Sequence, residues 1–112
     1  MTIPQSVKTL LGFAHKSGRI LSGEAAVASG VKKKKACLIL MAQDMPAKRK
    51  LHYMRWFDGM KIGYYILGTK MEYGDLLGLS PRSILAVSDR QLAAAIVKQI
   101  GNQDVSDQYG GD

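Results

Sequence analysis

A three-layer α/β/α sandwich with a small mixed sheet is the fold this sequence predicts, and three observations carry it. Segments with helical apolar periodicity alternate with short apolar runs along the chain, the order expected of helices packed on a sheet. The central run, residues 36–42, is apolar without polar alternation, as in a strand covered on both faces. A length of 112 residues, 46% hydrophobic and 22% charged, suits one domain with its own core.

Val7, Leu10, Leu11 and Ala14 recur at i, i+3, i+4 and i+7, one face of a first helix that Gly18 ends. Arg19-Ile20-Leu21 is too short for a central strand, so a mixed sheet is expected. Ser22 is a candidate N-cap for a second helix reaching about Val31, since its hydroxyl can accept from an orphan amide. After the strand at 36–42, Pro46 suits the first turn of a third helix, where its missing N–H costs nothing. Leu51, Met54 and Phe57 are its expected inner stripe, and Gly59 its end. Residues 62–67 read as a further strand. Thr69 and Glu72 then have the spacing of a capping box, opening a short helix that stops at Gly78. A last strand covers residues 83–88, and Asp89 caps a helix whose stripe is Leu92, Ala93, Ile96, Val97 and Ile100. The expected core comprises Leu38, Ile39, Leu40, Ile66, Ile84, Leu85, Leu92 and Ile96. Residues 1–101 thus form a single domain, and the polar, acidic segment 102–112 is expected to be a mobile tail.

The longest apolar run, at seven residues, falls far short of the ~20 that a membrane-spanning helix needs. The opening residues lack the basic start and apolar core of a signal peptide. One cysteine permits no internal disulfide, and Cys37 lies in the apolar run, where an inert buried thiol is expected. These points lead to a cytoplasmic expectation, with no membrane association.

The net charge of +7 is unevenly spread. Residues 1–61 carry 12 Lys or Arg against three acids, whereas residues 62–112 carry four against six. A basic face built from the first half would attract polyanions. Lys32, Lys33, Lys34 and Lys35 follow the second helix; their mutual repulsion is relieved either by a polyanion or by solvent alone. Lys48, Arg49, Lys50 and Arg55 lie beside Tyr53 and Trp56 on the third helix. Arginine with aromatic groups can stack on unpaired bases, although core packing is the commoner fate of such a tryptophan. Catalytic spacings are missing: the sequence has no Walker loop, no Gly-x-Ser-x-Gly elbow and no metal-binding His or Cys pair. His15 and His52 sit on different helices without a carboxylate at helical spacing. Asp44 and Asp89 stand where α/β enzymes keep carboxylates but also where helix caps belong. No enzyme, metal or cofactor is expected.

The segment Leu11-Gly12-Phe13-Ala14-His15-Lys16-Ser17-Gly18-Arg19-Ile20-Leu21-Ser22-Gly23-Glu24 resembles the opening of the kink-turn-binding ribosomal-protein family named for L-seven-Ae and L-thirty-e. The likeness is strongest to its small bacterial YlxQ-like members. It continues through residues 36–44, 67–74 and 84–89, and so spans about residues 5–100. It implies binding of structured RNA, with ribosomal RNA and the ribosome as partners, by a monomer that performs no chemistry. In that family a glycine opens the second helix, and the helix start meets the sheared G·A pairs of a kinked RNA. Free N–H donors and partial positive charge at a helix N-terminus suit that role. Gly23 matches the glycine, and Glu24 follows it. An apolar loop before the last strand packs on a flipped-out nucleotide in the family; Leu79, Ser80, Pro81 and Arg82 occupy that place here. The family's Asn-Glu pair and following Lys fall on Ala25, Ala26 and Ser29, which cannot make the same contacts. The expected RNA surface therefore combines Lys16, Arg19, Gly23, Glu24 and the lysine run with the loop at 79–82, and its kink selectivity is expected to be weak. The rival reading is a protein-interaction adaptor on the same fold, using the acidic second half or the apolar loop.

Overall fold

The computed structural model describes residues 2–110. The chain runs α1 (Gln5–Lys16), β1 (Ile20–Ser22), α2 (Glu24–Lys32), β2 (Leu38–Met41), α3 (Ala47–Met60), β3 (Tyr64–Ile66), α4 (Lys70–Leu77), β4 (Ile84–Val87) and α5 (Arg90–Gly110). The strands form one mixed sheet in the order β1-β4-β2-β3. β4 runs antiparallel to both neighbours, and β2 and β3 are parallel. The short β1 lies at an edge, as its length requires.

Three layers follow from the pleat of the two central strands, whose successive side chains point to opposite faces. Leu38, Leu40, Leu85 and Val87 meet Val7 and Leu11 of α1, Tyr73 and Leu77 of α4, and Ile96 and Ile100 of α5 in one apolar cluster. Ile39, Met41, Ile84 and Ala86 meet Val27 and Val31 of α2 and Tyr53 and Phe57 of α3 in the other. The absence of polar alternation in β2 is thus explained by helices on both sides.

Local capping follows the sequence at two helices. The Thr69 hydroxyl accepts from the Glu72 N–H and the Glu72 carboxylate from the Thr69 N–H. Asp89 accepts from the Leu92 N–H at 2.9 Å and so caps α5. Elsewhere the structure differs from expectation. Ser22 is the last residue of β1, paired with Leu85, and α2 is opened by Gly23 with no side-chain cap. Asp44 caps nothing on α3; its carboxylate accepts from the Lys70 N–H at 3.0 Å and holds the start of α4. The inner stripe of α3 is Tyr53 and Phe57, while Leu51 is 47% exposed, and the helix continues past Gly59 to Met60. Ile66 is only half-buried because β3 is an edge strand, and Leu92 packs at the margin of its cluster. Val97 faces outward and Cys37 is half-buried. The last helix spans Arg90–Gly110, and residues 111–112 of the expected tail lie outside the described residues. Among the described residues no helix is long and apolar enough to cross a membrane.

Gly74 fixes the distance between α4 and the loop before β4. A Cβ at this position would lie 2.8 Å from the Ser80 carbonyl oxygen and 2.9 Å from the Pro81 Cα, both backbone atoms. Gly74→Ala is therefore expected to lose about 1–3 kcal/mol of stability through overpacking, read as a lower urea midpoint. An unchanged midpoint would show that the loop yields freely.

Candidate nucleic-acid interface

Sheet topology decides which loops share an end of the molecule. β2 and β3 are parallel, β4 opposes β2, and β1 opposes β4. The segments after β1, β2 and β3 and the segment before β4 therefore converge at one end. They bring together Gly23 at the start of α2, Lys48, Arg49 and Lys50 near the start of α3, Lys70 at the start of α4, and the loop at 79–82.

The opening of α2 and this loop form a shallow concavity of about 490 Å³ whose lining includes Gly23, Ala25, Ala26, Pro81 and Arg82. Gly23 has φ +90° and ψ 161°, a combination essentially confined to glycine. Its N–H donates to the Ile84 carbonyl at 3.0 Å, which fixes the turn out of β1. With no side-chain cap, the first-turn amides of α2 are left for solvent or an anionic ligand. A side chain at position 23 would be strained by φ itself and would touch the Arg82 Cδ at 3.9 Å. Loss of function in a Gly23→Val variant would thus combine backbone strain with obstruction.

Arg82 organises its own loop. Its guanidinium donates to the Ser80 carbonyl at 3.0 Å and to the Ser80 hydroxyl at 2.6 Å, and its N–H donates to the Lys70 carbonyl at 3.0 Å. Leu79 and Pro81 are exposed, with the Leu79 N–H bonded to the Gly74 carbonyl.

Glu24 does not present a free carboxylate. It pairs with Arg49 and accepts from the Tyr53 hydroxyl at 2.7 Å, both on α3. Burial, together with the Glu24 hydrogen bond and charge, pushes the Tyr53 hydroxyl up to about 12, so it remains a donor at neutral pH. Repulsion between Glu24 and an approaching phosphate is offset by Arg49. Lys70 was not singled out in the sequence, and Arg49 and Lys50 were singled out only as cations beside Tyr53 and Trp56, apart from the expected RNA surface. They lie in the first turns of the helices that follow β2 and β3, which places them at this end of the sheet.

The structure divides the remaining residues. Lys32 ends α2, Lys33 is its C-cap, and Lys34 is left-handed at φ 58°, so the lysine run lies one helix length, roughly 13 Å, from Gly23. Lys34 and Lys35 share a concavity of about 570 Å³ with Arg19 and Arg90 at the opposite end of the sheet. Lys16 is exposed in the last turn of α1 and lines neither concavity. The expected surface is thus two basic regions rather than one. Among the described residues no group of His, Cys, Asp and Glu could hold a metal.

The fold is shared with solved structures. A protein of unknown function from Bacillus halodurans is 25% identical, with a TM-score of 0.75, over 83% of this chain and 98% of that one. A 15.5 kD RNA-binding protein from Giardia lamblia is 19% identical, with a TM-score of 0.74, over 90% of this chain and 87% of that one. No curated protein matches the sequence. The sequence model of one family matches residues 5–97, nearly all of the two-sided core, and by that match the chain belongs to the ribosomal protein L7Ae/L30e/S12e/Gadd45 family.

Proposed function

We propose that the protein binds structured RNA through the uncapped start of α2 and the loop at 79–82, as a monomeric, non-enzymatic component of cytoplasmic ribonucleoprotein, with ribosomal RNA as its partner class. The observation that supports this most is the pairing of a glycine-opened helix N-terminus with a rigid, arginine-tied loop. Free amides suit phosphate oxygens and base edges, and the exposed Leu79 and Pro81 suit the face of an unstacked base. Family membership favours the same reading, as does the likeness to the Giardia lamblia RNA-binding protein. Kink-turn recognition is the narrower form of it, weakened by alanine at positions 25 and 26 and serine at 29.

The lysine run adds sequence-independent attraction. The two basic regions are about 13 Å apart, less than one turn of a duplex, so one RNA can reach both. Replacing Lys32, Lys33, Lys34 and Lys35 with Ala is expected to weaken binding and to reduce the slope of log K against log salt. Each lost phosphate contact is worth about 0.7–0.9 of slope, so two contacts remove roughly 1.4–1.8. An unchanged slope would make the run a solvated turn. Absence of RNA affinity in the wild type, with protein partners that stay attached after nuclease treatment, would replace this reading with the adaptor.

A further inference from the structure

Away from the start of α2, a second concavity of about 640 Å³ lies between α2 and α3, lined by Ala28, Lys32, His52, Tyr53, Arg55 and Trp56. Its geometry follows from helical spacing. Glu24, Ala28 and Lys32 recur every four residues along one face of α2, and Arg49, Tyr53 and Trp56 fall at i, i+4 and i+7 along one face of α3. The Glu24–Arg49–Tyr53 contacts close the cleft at the Gly23 end, and Lys32 opens it toward the lysine turn.

Trp56 is the chemically distinctive group. It is half-buried, packed against the apolar cluster under the sheet, yet it also lines the cleft. Its ring is braced by Phe57 at 5.7 Å and Tyr53 at 6.4 Å between centroids, so little ordering is needed for another ring to stack on it. Lys32, His52 and Arg55 are exposed around it, and none makes an ion pair among the described residues. An aromatic platform rimmed by the unpaired charges of Lys32 and Arg55 matches a base joined to phosphates, the pattern by which proteins hold unpaired strands. Asp and Glu side chains of an acidic peptide would use the cations but offer no ring to Trp56.

We infer that the α2–α3 cleft holds an unpaired RNA strand, with a base stacked on Trp56 and its phosphates on Lys32 and Arg55, leading toward the lysine turn. This inference rests on the proposed RNA binding and extends it to a single-stranded flank. Trp56 is the sole tryptophan of the chain, so its emission reports directly on the cleft. The test compares two RNAs that share one kinked helix, one blunt and one with a four-adenosine unpaired extension, titrated into the full chain at matched salt. The extension is expected to quench Trp56 emission and to tighten binding at least about fivefold, the low end for one stacked base. Trp56→Leu is expected to remove that gain, as is the paired exposed variant His52→Gln/Arg55→Gln, while both leave the blunt RNA's affinity unchanged. The paired variant keeps the test valid if Trp56→Leu folds poorly by circular dichroism. Binding of the blunt RNA with no gain or quenching from the extension, or a gain that survives the variants, overturns the cleft assignment alone. Failure of both RNAs to bind overturns it together with the proposed function.

Discussion

Phe57→Ala is expected to lose about 3–5 kcal/mol of folding stability, the usual range for truncating a buried aromatic. Phe57 is fully buried and stacks on Tyr53 and Trp56, both at 5.7 Å between centroids, with Tyr64 at 6.1 Å. It joins α3 to the α2 face of the sheet, and three facing rings leave the surroundings little freedom to collapse into the void. Against a typical total of 5–15 kcal/mol, such a loss brings the chain close to unfolding. Leu51→Ala, on the same helix but 47% exposed, is expected to change stability by less than ~0.5 kcal/mol. Urea denaturation of the two variants decides the matter, with the m-value confirming comparable denatured states. A loss below about 1.5 kcal/mol for Phe57→Ala would mean that the α2–α3 layer is not a packed core.

That contrast also marks what the sequence of α3 conceals. Leu51, Met54 and Phe57 form one apolar stripe and Tyr53, Trp56 and Phe57 another, sharing Phe57 and offset by about 100° around the helix. Periodicity alone cannot choose between them. The choice is made in three dimensions: Tyr53 reaches Glu24, 29 residues earlier in the chain, and Phe57 reaches Tyr64 on the edge strand. By contrast β2 was legible because its two-sided burial is written as an unbroken apolar run, and the caps at Thr69 and Asp89 because their partners lie three residues away. Ser22 and Asp44 had the right chemistry for caps. The first was drawn into the sheet, and the second found an amide 26 residues on.

The candidate interface was legible in the same uneven way. Gly23 and the loop at 79–82 came from the family resemblance alone, and the structure adds why the first must be glycine, its φ of +90° and ψ of 161°. The lysine run and Gly23, combined in one expected surface, stand at the two ends of α2. Arg49, paired with Glu24, and Lys70 come from helices after other strands, and the strand order brings them to the end of the sheet where α2 begins.

Selectivity for a kinked RNA is expected to rise sharply when Ala25, Ala26 and Ser29 become Asn, Glu and Lys. Ala25 and Ala26 line the concavity that Arg82 closes, and Ser29 lies one turn further along α2. In the wild type these positions supply methyl groups and one short hydroxyl, so the first-turn amides and the cations bind phosphates without reading bases. The affinity ratio between a kinked RNA and a control with its G·A pairs replaced is therefore expected to be no more than about tenfold, one base contact's worth. Each good base contact is worth about 1–3 kcal/mol in the better-measured DNA case, so two regained contacts should raise the ratio by roughly 30-fold or more. Stability should change little. Glu in the first turn favours the helix dipole by about 0.3–1 kcal/mol, offsetting the modest helix preference lost at Asn. Salt must be matched between the two RNAs, because the added lysine strengthens both complexes and only the ratio isolates base reading. A wild-type ratio above ~100 would show that other groups already read the kink, with Arg82 and the amides of α2 the nearest to do so. A triple variant that binds both RNAs more tightly while leaving their ratio unchanged would show that the start of α2 contacts phosphates alone.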